Sequence, residues 1–248
     1  MFSLYEVGGK VRDELLGVQS KDVDYTVVPT EELILQYPDV DKMFSVLTDF
    51  LKQEGYEIFL LTPDCYTIRA KFPKDHQFKG LVADFVMARK EIGYFPNTRK
   101  PILKPGTLFD DLQRRDFTLN AIAKDLDGNL IDYFDGMWAL ENKILITPLD
   151  AKITMLDDPL RLIRAFRFSI TKGFSISPRI METCLMDDVV NKLEKVVSQE
   201  RIRDEIFKMM KHDTIKSLDL FEKIKYTNPK ILEIIFGKEM WLKPTLEK

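Results

Sequence analysis

The chain has 248 residues, 45% hydrophobic and 31% charged, with a formal net charge of -3, a balance that suits a folded soluble protein of one or two domains and excludes a disordered or fibrous one. No apolar run approaches the ~20 residues of a bilayer span, and the start MFSLYEVGGK lacks the basic-then-apolar build of a signal peptide, so a cytoplasmic protein without a membrane partner is expected. With only Cys65, Cys184, His76 and His212 available, neither a zinc cluster nor a disulfide framework can be assembled.

The first informative stretch is VGGKVRDELLGVQSKDVDYTVV. Apolar residues at Val11, Leu15 and Leu16, with Gly17 as a stop, predict a short helix that begins just after Gly8 and Gly9. Small residues before a helix start allow close backbone approach to an anion, and they also suit a plain tight turn. The run Val23 to Val28 predicts a strand, which puts Asp22, Asp24 and Thr26 on one face and Val23, Tyr25 and Val27 on the other. Two carboxylates sharing a face beside an anion cradle are what a magnesium site handling a nucleotide needs.

Further strands are expected in YEIFLL, CYTIRAKF, LVADFVM and NLIDYF, with Asp84 interrupting an otherwise buried strand. IGYFPNTRKPILKPGTL, with three prolines, predicts a long mobile loop. Its Tyr94, Phe95, Arg99, Lys100 and Lys104 mix aromatic and basic side chains suited to single-stranded RNA, to a closing lid, or to an ordinary surface. In RRDFTLNAIA, a helix would set Asp116 and Asn120 four apart on one face, next to Arg114 and Arg115.

After about residue 150 the pattern turns helical. In DDPLRLIRAFRF, Pro159 and the acids before it mark a helix start, Leu162, Ile163 and Phe166 form its buried stripe, and Asp158 and Arg161 stand three apart on another face. A carboxylate beside a guanidinium matches the donor and acceptor edge shared by cytosine and adenine. Uracil and guanine would leave a donor and an acceptor unsatisfied, each costing about 1 to 3 kcal/mol. A surface ion pair is the plainer role for the same two residues. The predicted fold is α+β: a mixed sheet with helices over 1–149, then an all-α module over 150–248.

Taken together, GGKVRDELLGVQSKDVDYTV, RRDFTLNAIA, DDPLRLIRAFRF and SQERIRDEIFK resemble, in order, the signatures of the class II tRNA nucleotidyltransferase and poly(A) polymerase family of the polymerase β-like superfamily. The resemblance implies a catalytic head at 1–149 and, at 150–248, a helical neck with the base-selecting motif and a shortened carboxyl-terminal body. It implies Asp22, Asp24 and Asp84 as catalytic residues holding Mg2+. Gly8, Gly9, Arg12, Arg115, Asp116 and Asn120 would meet the incoming nucleotide, and Asp158 and Arg161 its base. Arg164 joins that nucleotide-binding set, with an ion-paired role equally open for it and for Arg167. SQERIRDEIFK, with Ser198, Glu200 and Glu205, is scaffold. The implied activity is template-independent addition of C and A, from CTP and ATP, to tRNA 3′ ends. The alternatives are a poly(A) polymerase, a CC-only or A-only enzyme, and a non-catalytic RNA-binding homologue. Family members usually carry further body and tail regions that grip tRNA; with the sequence ending at Lys248, three readings stand open: a second chain or a homodimer holds the tRNA, the substrate is a different RNA end, or the chain is a piece of a longer product.

Overall fold

The computed structural model describes residues 1–19, 23–95, 98 and 100–237. Asp22 and Arg99, both singled out from the sequence, lie outside the described residues. Two compact units are present, one from Met1–Phe95, Lys100–Asn142 and Thr147–Leu149, the other from Lys143–Ile146 and the chain from Asp150 onward. No helix among the described residues is long and apolar enough to cross a membrane.

The first unit contains β1 (Phe2–Val7), α1 (Gly9–Leu15), β2 (Asp24–Pro29), α2 (Glu31–Gln36), α3 (Val40–Gln53), β3 (Glu57–Thr62), β4 (Thr67–Lys71) and β5 (Val82–Met87). It continues with β6 (Arg89–Tyr94), β7 (Pro101–Pro105), α4 (Leu108–Gln113), β8 (Ile122–Lys124), β9 (Leu130–Asp132) and α5 (Gly136–Glu141). Seven strands form one mixed sheet in the order β3-β4-β5-β2-β1-β8-β9. The β2–β5 pair is parallel, and the other pairs in this sheet are antiparallel.

Strand alternation divides the two faces. Tyr25 and Val27 of β2, Phe85 and Met87 of β5 and Ile68 of β4 are fully buried, in one core with Met43, Phe44, Leu47 and Leu51 of α3. Those helix residues recur at the spacing of an apolar stripe, and Asp39 starts the helix by accepting from the Lys42 N–H at 2.9 Å. The opposite face is covered by α4, whose Leu108 and Leu112 pack with Val7, Ala121 and Ala123. Asp24, Thr26 and Asp84 belong to that second face, because register partners and alternate residues share a side.

Two expectations need correction. The stretch read as a long loop is an antiparallel ribbon, β6 with β7, in which Lys90 faces Lys104 and Tyr94 faces Pro101. Pro101 and Pro105 sit at the ends of a strand in a two-stranded ribbon, where proline is tolerated, and Gly93 falls at a register shift. FTLNAIA is not an α-helix either. It makes a 3-10 turn at Thr118–Asn120 and then enters β8, whose Ala123 completes the sheet beside Val7.

The second unit holds β10 (Ile144–Leu145), α6 (Ala151–Asp157), α7 (Leu160–Thr171), β11 (Ser175–Ile176), α8 (Pro178–Glu182), α9 (Asp187–Val196), α10 (Gln199–His212), α11 (Thr214–Thr227) and α12 (Pro229–Phe236). Leu162, Ile163 and Phe166 are fully buried, as their helical spacing predicts. The small parallel pair β10–β11 has no counterpart in the sequence pattern, each strand being two residues long.

Gly136 is where α5 meets the Thr118 turn. A Cβ there would stand 2.3 Å from the Thr118 carbonyl oxygen and 2.7 Å from Ile122 Cγ1. Gly136→Ala is expected to cost about 1 to 3 kcal/mol through overpacking. Urea unfolding checks this; an unchanged midpoint would show that the contact yields freely.

Candidate active site

The register of the sheet assembles the site. Val7, the last residue of β1, pairs with Asp24, the first of β2, and Asp24 pairs in turn with Asp84 on β5. The Gly8–Gly9 turn therefore begins one residue beyond a direct neighbour of Asp24. Gly8 has φ +73, a conformation open to glycine, and an ideal Cβ on it would lie 3.1 Å from Arg115 Nη1. Gly9 approaches Arg12 Nη2 in the same way, at 3.5 Å. Gly8 thus leaves room for the Arg115 guanidinium against the backbone, whereas a Cβ on Gly9 would make only ordinary contact with that of Arg12.

Those guanidiniums are held from below. Arg12 is buried and donates through Nη1 to Asn120 Oδ1 at 2.8 Å, while its Nε donates to Asp13 at 2.9 Å. Asn120 Nδ2 donates to Asp116 Oδ1 at 2.8 Å, and the same oxygen accepts from the Phe117 N–H at 2.8 Å. Asp116 and Asn120 meet although no α-helix joins them, because the 3-10 turn folds Asn120 back over Asp116. Arg115 Nη1 donates to the Asn120 carbonyl at 3.3 Å, which ties it to the same turn.

The sequence reading missed Asp111. This α4 residue is fully buried, and its carboxylate accepts from Arg114 Nη2 at 2.5 Å, Arg115 Nη2 at 3.1 Å and the Thr26 hydroxyl at 2.9 Å. Arg115 also donates to Thr26 Oγ1 at 3.2 Å, two residues along β2 from Asp24. Burial alone would raise the Asp111 pKa, but the neighbouring Arg114 and Arg115 outweigh it and hold the carboxyl well below the usual carboxylate range. Burial likewise works against charge on Arg114, and Asp111 with Glu91 reverses it, so its pKa is raised. The signal available in advance was the spacing of Asp111 from Arg114 and Arg115, three and four residues, as on one helix face.

Asp24 and Asp84 offer only oxygen donors, on neighbouring strands and on one face, which suits a hard divalent cation completed by substrate oxygens. Among the described residues no group of three or more His, Cys, Asp or Glu forms a metal cage. Asp84 has a partner that the sequence did not suggest: Arg69 Nε and Nη2 donate to its two oxygens, each at 2.8 Å.

In the second unit, Asp158 is not on the face of α7. It is the extended joint between α6 and α7, with φ -137 and ψ 99, because the proline that follows disfavours helical backbone there. Its Oδ1 accepts from the Leu160 N–H at 3.1 Å, and its Oδ2 lies 3.8 Å from Arg201 Nη2. The Arg161 N–H donates to the Asp158 carbonyl at 3.0 Å and Arg161 Nη1 to the Thr154 carbonyl at 3.2 Å, so the two residues remain adjacent. Arg164 lies 3.7 Å from buried Glu205, which also pairs with Arg167.

Asp111→Asn keeps the shape of the side chain and removes the buried charge that two partly buried guanidiniums share. A loss of about 3 to 5 kcal/mol is expected. Because the native pKa of Asp111 is depressed, its contribution is complete above the unfolded value of about 3.9, falls progressively below it, and is gone once pH has passed through the native value. Urea unfolding should therefore show a gap between wild type and variant that is flat from about pH 5 to 8 and narrows in acid.

Residues 4–146 match the family described as the Poly A polymerase head domain. The multifunctional CCA protein of Nitrosomonas eutropha is 37% identical over 209 residues, covering 82% of this chain and 43% of that protein. The crystal structure of the Bacillus stearothermophilus CCA-adding enzyme in complex with CTP superposes with a TM-score of 0.68 at 25% identity, over 92% of this chain and 50% of that one. A tRNA nucleotidyltransferase complexed with a primer tRNA and an incoming ATP analog gives 0.65 at 27% identity, over 95% and 60%. The chain spans less than half the length of that Nitrosomonas relative. With the head matched over most of its sheet and the polymerase β-like fold shared with CCA-adding enzymes, the chain belongs to the class II tRNA nucleotidyltransferase and poly(A) polymerase family.

Proposed function

We propose that the protein is a template-independent RNA nucleotidyltransferase that adds C and A to the 3′ end of tRNA from CTP and ATP. The observation that carries this reading is the sheet register that sets Asp24 beside Asp84 and next to the Gly8–Gly9 turn, where Arg115 waits. CCA-adding relatives across most of the chain's length support the choice of product.

The roles follow from the contacts. Arg115, braced by Asp111 and Thr26, meets the triphosphate at the Gly8–Gly9 turn. Arg12 holds Asn120, which in turn holds Asp116, and Asp116 addresses the ribose or the phosphate edge. Asp24 and Asp84, together with Asp22 outside the described residues, hold Mg2+. Such an ion supplies neutralisation of the triphosphate and a lower pKa for the attacking 3′ hydroxyl. In the second unit Asp158 accepts from the amino group shared by cytosine and adenine, Arg161 donates to the ring nitrogen beside it, and Arg164, paired with Glu205, supports that helix.

The decisive assay offers the purified chain and magnesium tRNA transcripts ending before CCA, after the first C and after CC, with an oligo(A) primer alongside. CTP and ATP are expected to extend each transcript to CCA and no further, whereas long A tails on any primer would replace this reading with poly(A) synthesis. Asp24→Ala is expected to abolish incorporation, and full activity in that variant would remove Asp24 from the site. Asp158→Ala is expected to lower the preference for CTP and ATP over UTP and GTP by about tenfold or more, the scale of one lost buried hydrogen bond. Competition incorporation measures this, and unaltered preference would place base choice elsewhere.

A further inference from the structure

The row of the sheet that carries Asp24 and Asp84 carries a third charge that the proposed chemistry does not use. β4 runs antiparallel to β5 with Arg69 opposite Asp84, and β5 runs parallel to β2 with Asp84 opposite Asp24. Register partners present their side chains to the same face, so three consecutive strands hold Arg69, Asp84 and Asp24 in line. On the far side of Arg69 the row ends with Leu60, which is 55% exposed. Arg69 grips Asp84 in the bidentate manner, Nε to Oδ1 and Nη2 to Oδ2, both at 2.8 Å. One hydrogen bond is thereby spent on each oxygen that a metal would need.

We propose that Arg69 is an exchangeable counter-cation for Asp84, holding the carboxylate while no divalent ion is present and yielding it when one enters. This rests on Asp84 being a metal-holding carboxylate, as proposed above. Two features set the contact apart from a structural ion pair. The Arg69 side chain is 54% exposed and that of Asp84 26%, so water can take over the guanidinium's hydrogen bonds as it leaves. Asp84 also stands one strand from Asp24, and two neighbouring carboxylates repel each other unless a cation lies close by. Arg69 supplies that cation on the metal-free sheet, and a divalent ion supplies twice the charge and displaces it. Arg115 is the contrasting case, its side chain 18% exposed and its carboxylate fully buried.

Direct titration of the full chain with Mn2+, without nucleotide, tests the exchange by the electron paramagnetic resonance signal of the free ion. Arg69→Gln is expected to bind Mn2+ roughly two- to fivefold tighter than wild type, the range of an exposed ion pair removed from competition. Arg69→Lys, a single point charge without the bidentate fork, should fall between the two. Asp84→Asn should bind at least about tenfold more weakly than wild type, the scale of one lost metal-holding group. If Asp84→Asn weakens binding while Arg69→Gln leaves it unchanged or weaker, Asp84 is a ligand and the exchange is overturned, Arg69 being then a positioning residue. If Asp84→Asn binds like wild type, the metal role of Asp84 fails and the exchange with it. Circular dichroism on each variant confirms that the compared chains share one fold.

Discussion

The arrangement of the first unit depends on one buried carboxylate. Asp111 is fully buried, and a charge in that position is tolerated only with compensating partners; Arg114, Arg115 and the Thr26 hydroxyl provide them. Each of those partners leads somewhere useful. Thr26 lies on the strand that begins with Asp24, and Arg115 lies against Gly8. Arg114 reaches toward Glu91 on β6, at 3.9 Å. One side chain on α4 thus ties the strand that begins with Asp24, the Arg115 guanidinium and the base of the β6–β7 ribbon to one another.

The second unit uses the same device. Glu205 on α10 is buried and pairs with both Arg164 and Arg167 on α7. Arg167 also lies over the Phe168 ring at 4.4 Å, a distance at which the ring face attracts a cation. Here two arginines sit three apart on one helix and converge on an acid from another, which locks α7 and α10 in a single register. The helix that follows Asp158 and carries Arg161 is therefore held by charge as well as by Leu162, Ile163 and Phe166.

Period-two and helical patterns made β2, β5 and α7 legible, together with the residues at their ends. The β6–β7 ribbon was not, because its prolines and Gly93 suppress every local strand signal and its pairing is visible only across the two strands. Asp111 sits in LFDDLQRRD, a charge run that reads as a solvated helix, and its burial comes from the sheet beneath α4. The pairing of Asp116 with Asn120 was expected from a helix and is delivered by a 3-10 turn, so a correct contact came from an incorrect element. Arg69 lay beyond local reading altogether, since nothing near CYTIRAKF announces that its fifth residue stands opposite Asp84.

Asp111 and Asp84 both hold arginines but differ in burial, and burial decides what each can do. Asp111 is fully buried, so a lost arginine cannot be replaced by water there and leaves a buried charge with only part of its compensation. Such a contact behaves as part of the fold. Around Asp84 the guanidinium is mostly solvated, and exposed pairs of this kind contribute at most about 1 kcal/mol. A contact that weak does not determine the fold, but it is on the scale that a divalent ion or a change in ionic strength can shift. Burial thus sorts the two contacts: Asp111 with Arg114 and Arg115 is a fixed part of the fold, and Asp84 with Arg69 is a pair that solvent can contest.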